Sequence, residues 1–264
     1  MQIGFKLSRK VAWMPVRNKL KAVLVGVGPG ASTLVTPEAR EIILKAEIIL
    51  GWDMDLLPVR DCVAGKKVFL QDVRNYVQAT RAAVREAKRT RKLLAVPRVG
   101  DPCLSSGLKG LMRALQGFEV QIHPGISSVQ LAAAYACINL DESAIISFHD
   151  LGDPEEKKQY MLDCFRKGRH LITLASPDLR PGPMAKWLIQ QGAPPNTDVL
   201  VGSALSLPEQ KIARSNLSRL VGRDFPWLSV TVVINPGAPS LDQDHRLWRR
   251  WRNRKNPRQS RRRK

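Results

Sequence analysis

Short apolar runs alternate with helix-spaced patterns along this chain, and that alternation restricts it to an α/β architecture. The first run, Ala22 to Val27, is closed by Gly28-Pro29-Gly30 and reads as a buried strand ending in a tight loop. Thr36-Pro37-Glu38 supplies a helix start, an N-cap threonine with proline at the first helical position. Ala39, Ile42, Ile43 and Ala46 follow at helical spacing. Further strands are expected at Ile48 to Leu50, Lys67 to Leu70, Leu93 to Val96 and Val120 to His123, with helices over 72–89, 105–116 and Ser128 to Ile138. Strands separated by helices imply a parallel sheet.

A polar turn at Asn139-Leu140-Asp141-Glu142 marks the expected boundary of a second domain. Beyond it, strands are expected at Ala144 to Ser147, His170 to Leu174, Asp198 to Gly202, Lys211 to Ser215 and Leu228 to Ile234, with helices at Pro154 to Arg166 and Met184 to Gln191. The late strands follow one another without long helices, so this second sheet is expected to be mixed. The organisation read from the sequence is a basic extension over 1–21, an α/β domain over 22–139, a second over 140–238, and a basic, disordered tail over 239–264.

Charge follows the same division. Of the 43 Lys and Arg residues, 11 lie in residues 246–264 and 6 in residues 1–21, both without acids, while the body balances 26 basic against 23 acidic residues. The tail reads as a solvated arm whose composition suits contact with nucleic acid or an anionic surface. No apolar run approaches the ~18 residues of a membrane span, so none is expected. The four cysteines, Cys62, Cys103, Cys137 and Cys164, form no C-x-x-C pair, which argues against a disulfide framework or zinc site and for a reducing, cytoplasmic compartment.

Three loops follow apolar strands. Gly26-Val27-Gly28-Pro29-Gly30-Ala31 satisfies a loose G-x-G-x-x-A pattern, which raises a dinucleotide site with Asp53 as the ribose acid. Pro29 and the late helix start at Thr36 argue against that reading, because a pyrophosphate rests on a helix that begins inside the motif. In Val99-Gly100-Asp101-Pro102 the glycine lets a ligand approach the backbone, and Asp101 suits a ribose hydroxyl or an amino group. An Asp-Pro turn with Asp101 as a local cap is the alternative. His123-Pro124-Gly125-Ile126-Ser127-Ser128 opens a helix with Ser127 or Ser128 as its cap. Ser147-Phe148-His149-Asp150 places an imidazole and a carboxylate at a strand end, as a structural pair or as a base.

The order G-x-G-P-G, then G-D-P, then P-G-I-S-S resembles the tetrapyrrole methylases, S-adenosyl-L-methionine-dependent enzymes of two α/β domains with the cofactor cleft between them. The resemblance runs from about Ala22 to Pro236. P-G-I-S-S-V-Q-L-A, followed by S-x-H-D and by L-S-x-P-E at Leu205 to Glu209, looks most like the branch that methylates carbon 5 of cobalt-precorrin-7 in cobalamin biosynthesis. It implies that Pro29 lines the cleft and that the backbone of Val99, Gly100 and Asp101, with Leu104, holds the methionine and ribose of the cofactor. It further implies contacts from Ser127 and Ser128, adenine facing Leu174, and a homodimer. Arg98 and Lys109 are expected to pair with carboxylates of a corrinoid substrate, and His149 is the expected general base. Two rivals rest on the basic ends: an RNA methylase of the same fold stacking bases on Trp248 and Trp251, and a non-catalytic nucleic-acid- or membrane-binding protein. The second leaves the three loops unexplained.

Overall fold

In a computed structural model the first apolar run forms β1, Leu20–Gly26, at the fourth position of a five-stranded sheet. The described residues are 20–238 except 106, 150–152, 178 and 227, so the basic tail and nearly all of the basic extension lie outside them. β1 reaches back to Leu20, two residues into the segment expected to be extension. The remaining strands of this sheet are β2 (Ile48–Trp52), β3 (Lys67–Gln71), β4 (Leu94–Arg98) and β5 (Phe118–His123). They are parallel in the order β3-β2-β4-β1-β5, with Ala22 opposite Leu94 and Val120 on its two sides.

Both faces of the sheet are covered, which is why its central strands read as unbroken apolar runs. Val23, Val25 and Val27 pack with Ala39 and Ile43 of α1 (Pro37–Lys45) on one face. Ala22 and Leu24 point the other way, against Ala83, Val84 and Ala87 of α3 (Tyr76–Thr90) and Leu111 of α4 (Leu108–Ala114). A short α2, Asp53–Leu56, follows β2. α1 begins where its cap predicts, with the Thr36 hydroxyl accepting the Ala39 N–H at 3.1 Å.

The second unit begins at Ser127. This corrects the boundary expected near 139–140, because α5 (Ser128–Ala136) packs on strands of the second sheet. Those strands are β6 (Ser143–Ser147), β7 (His170–Leu174), β8 (Asp198–Ser203), β9 (Lys211–Asn216) and β10 (Ser229–Val233), in the order β6-β7-β10-β8-β9. Only β6 and β7 pair in parallel; β10 runs antiparallel between β7 and β8, and the sheet is mixed as expected. α6 (Pro154–Arg166), α7 (Pro181–Gln190) and the short α8 (Leu217–Leu220) cover one face through Met161, Phe165, Met184, Leu188 and Leu217. α5 buries Val129, Ala132 and Ala133 against β7, β8 and β10, covering the other. Among the described residues no helix is long and apolar enough to cross a membrane.

Candidate functional site

In the first unit the three loops singled out in the sequence meet at the carboxyl ends of β1, β4 and β5. The Val27 N–H donates to the Arg98 carbonyl at 2.9 Å, and the Gly100 N–H donates to the Gly28 carbonyl at 2.7 Å. Gly28 and Gly100 hold φ of +77° and +72°, a left-handed conformation that suits glycine. Gly26 and Gly125 are required for a different reason. A Cβ on Gly26 would lie 2.4 Å from the Gly125 nitrogen, and one on Gly125 would lie 2.3 Å from the Gly100 carbonyl oxygen. Three main chains therefore touch where any side chain would part them. The sequence motifs contain these glycines, but nothing local shows that they meet one another.

Asp101 closes the arrangement. One carboxylate oxygen accepts the Cys103 N–H at 2.7 Å and the other the Gly125 N–H at 3.0 Å, so its side chain binds the second loop to the third. The local-cap alternative thus describes its carboxylate, which is already engaged by the protein itself. Desolvation, and then the Asp101 carboxylate, push the neighbouring Cys103 thiol up, keeping it protonated and a poor nucleophile at neutral pH. Pro29, Val99 and Leu104 are half-buried along the same loops, and Leu104 donates its N–H to the Asp101 carbonyl at 3.0 Å.

Arg98 corrects an expectation. Its side chain is 5% exposed and lies in a buried ion pair with Asp55 at 2.9 Å, and it also donates to Gln71 Oε1 at 2.9 Å. Gln71 in turn donates to the Thr80 hydroxyl at 2.9 Å, and Asp55 accepts the N–H groups of Trp52 at 3.0 Å and Val99 at 2.7 Å. A guanidinium committed to this network beneath the loop is not free to grip a substrate carboxylate; it supports the backbone at Val99. Lys109 is exposed on α4. Asp53, the ribose acid of the dinucleotide alternative, is exposed on α2, and after the first glycine loop comes a short 3-10 turn at Ser32–Leu34, the α-helix starting only at Pro37. His123, at the end of β5, places Nε2 3.1 Å from the Thr36 hydroxyl and ties this edge to the start of α1.

In the second unit, β6 and β7 end side by side, with Ser147 opposite Leu174. The Phe148 N–H donates to the Leu174 carbonyl at 3.0 Å, so the parallel pairing continues to the residue before His149. His149 is exposed, with its backbone N–H 3.2 Å from the Ser147 hydroxyl. Lys157, from α6, caps the same strand end by donating to the Ser147 carbonyl at 2.8 Å. Leu174 is 5% exposed. Asp150, the expected partner of His149, lies outside the described residues. Ser127 is buried at the N-cap of α5, its N–H accepted by Gln130 Oε1, while Ser128 is half-buried in the first turn.

The features that sequence reasoning missed are Asp55, Gln71 and Thr80. All three are buried polar residues far from the motifs, and no local pattern marks them as partners of Arg98.

Comparison with known proteins gives this architecture a family. The profile of the Tetrapyrrole (Corrin/Porphyrin) Methylases matches residues 21–221. A probable cobalt-precorrin-7 C(5)-methyltransferase of Methanocaldococcus jannaschii is 29% identical over 210 residues, covering 79% of this chain and 95% of that protein. A cobalt-precorrin-4 C(11)-methyltransferase of Priestia megaterium is 24% identical over 211 residues, covering 76% and 81%. The crystal structure of the methyltransferase CobJ shares the fold at a TM-score of 0.68 and 24% identity, covering 82% of this chain and 94% of that one. So does the uroporphyrin-III C-methyl transferase from Thermus thermophilus complexed with S-adenosyl homocysteine, at a TM-score of 0.61 and 22% identity, covering 81% and 91%. With three-quarters of its length matched by the profile and its strand-end glycine loops in place, the chain belongs to the tetrapyrrole (corrin/porphyrin) methylases.

Proposed function

We propose that this chain transfers a methyl group from S-adenosylmethionine to carbon 5 of a cobalt-precorrin-7-type ring. Family membership makes it a methyltransferase of the class that serves cobalamin biosynthesis, with S-adenosylmethionine as donor. The carbon-5 assignment rests on the M. jannaschii relative, whose length is matched almost throughout. The observation that carries the reading is the junction of Gly26, Gly100 and Gly125, where three strand-end loops meet backbone to backbone.

That junction fits the donor. S-adenosylmethionine supplies an electrophilic methyl group on a cationic sulfonium, and a cation is poorly held beside an uncompensated arginine. Arg98, directly below Val99, is neutralised by Asp55. Pro29, the backbone of Val99, Gly100 and Asp101, and Leu104 are assigned to hold it.

No protein nucleophile is required, because an electron-rich ring carbon attacks the methyl group directly while the carbon–sulfur bond breaks. The protein's contribution is alignment, worth as much as about 7–11 kcal/mol in well-oriented systems. His149, the exposed imidazole that follows β6, is assigned to take up the proton the ring releases. Lys109 is assigned to a ring carboxylate. A homodimer working in the cytoplasm belongs to the same reading.

The test is calorimetric titration of the full chain with S-adenosyl homocysteine, then a mass-spectrometric assay for a single added methyl group on cobalt-precorrin-7 and on cobalt-precorrin-4. Methylation of the first alone is expected. Methylation of the second alone would reassign the ring position, and failure to bind S-adenosyl homocysteine would remove the loops from the site. His149→Ala is expected to lower turnover about 100-fold, the lower end of what positioned proton transfer contributes, with cofactor affinity unchanged.

A further inference from the structure

A groove of about 560 Å³ opens on the outer side of the first unit between α3 and α4. Its wall is apolar, with Val84 and Leu111 buried at the bottom and Val77 half in solvent, and three arginines stand around it: Arg81 and Arg85 one turn apart on α3, and Arg113 on α4. No carboxylate among the described residues pairs with any of the three. Glu86, the acid on α3, is already bound by Lys67 and Arg89, each at 2.8 Å. Arg81, Arg85 and Arg113 are the charged residues that line the groove, so this face is cationic although the body of the chain is nearly balanced.

Unpaired guanidiniums around an apolar wall select a ligand with both properties. Arginine's planar fork matches carboxylates, and the volume falls within the ~300–1,000 Å³ of small-molecule sites. The seven residues of α4 span only about 10 Å, too short to cradle the two or three turns of an amphipathic partner helix. The chain's own termini carry the wrong charge.

We propose that this groove binds a small amphipathic polycarboxylate, a compact apolar body bearing at least two carboxylates. The site is separate from the glycine loops and does not depend on the methyl-transfer reading. Two sources share the chemistry, a tetrapyrrole with ring-borne carboxylates and an unrelated apolar diacid. The groove is open because Gly110 contributes no side chain to it, and a Cβ there would meet no atom within 4 Å. Gly110→Leu therefore fills the site without touching its charge, in a helix that tolerates leucine better than glycine.

The test titrates the full chain with mesoporphyrin IX, with its dimethyl ester and with hexadecanedioate. At least one of the two diacids is expected to bind, and which one identifies the source. The ester is expected to bind about tenfold or more weakly than the porphyrin diacid wherever the latter binds. Arg81→Ala/Arg85→Ala and Gly110→Leu should each weaken the diacid by about tenfold or more, while affinity for S-adenosyl homocysteine stays at the parent value. The proposal is overturned if neither diacid binds, if acid and ester bind equally, or if both variants bind as the parent does. It is equally overturned if a single-stranded RNA binds through these arginines while the diacids do not. Loss of S-adenosyl homocysteine binding in the parent chain, with diacid binding intact, would sink the methyl-transfer reading and leave this one standing.

Discussion

Asp55→Asn probes the support beneath the 99–101 loop by replacing one carboxylate oxygen with an amide nitrogen at almost no change in volume. Asp55 accepts three hydrogen bonds, from Arg98 at 2.9 Å, from the Trp52 N–H at 3.0 Å and from the Val99 N–H at 2.7 Å. Both carboxylate oxygens face donors, Oδ1 the Val99 N–H and Oδ2 the Trp52 N–H and Arg98. An asparagine amide nitrogen must face one of them, and the Arg98 charge is left buried, with Arg98 and Asp55 side chains only 5% and 7% exposed. Breaking a buried pair by removing one partner costs about 3–5 kcal/mol. For a chain of this size that corresponds to a fall in Tm of about 10 °C. Urea and thermal unfolding followed by circular dichroism read the loss, and titration with S-adenosyl homocysteine reads the displacement of Val99. Asp55→Leu/Arg98→Met, which removes both charges, should recover part of the stability, the rest being lost with the hydrogen bonds to Trp52, Val99 and Gln71. A single variant within about 1 kcal/mol of the parent would refute the claim that Arg98 depends on Asp55.

Three further outcomes follow from the same geometry. Gly125→Ala drives a methyl group to within 2.3 Å of the Gly100 carbonyl oxygen and should weaken S-adenosyl homocysteine by more than tenfold in a folded protein; parent-like affinity would show that the three loops need not touch. Thr36→Ala removes the α1 cap and its contact with His123, and should cost about 1 kcal/mol in urea unfolding, with no loss at all speaking against the cap. His170 is buried, chiefly desolvation holds its pKa below the ordinary value, and its Nδ1 accepts the Asn235 N–H at 3.0 Å. Above about pH 6.5 the ring is neutral in both states; below that the unfolded chain takes up a proton that the folded chain resists, so stability should fall with acidification. His170→Gln should flatten that slope between pH 7 and 5.5, and an unchanged slope would place the pH dependence elsewhere.

What the sequence determined by itself was local. The Thr36-Pro37 cap, the apolar runs covered on both faces and the glycine-bearing strand ends depend on neighbours a few residues away, and these elements lie where periodicity and capping place them. The glycine loops were legible as a set because their order along the chain is itself a pattern. Only the tertiary structure decided what those residues touch. Arg98 read as a cation for a substrate, yet its partner Asp55 is 43 positions away, and no local pattern tells whether a charge beside a site is free or neutralised. Asp101 read as a ligand group or as a local cap, and it is Gly125, 24 positions on, that takes its second oxygen. α5 follows β5 in the chain but belongs to the second unit, because its alanine face packs on strands formed later in the sequence. The fate of a charge, a carboxylate oxygen or an apolar helix face is set by whichever group folding brings to it, and that information is distributed over the whole chain.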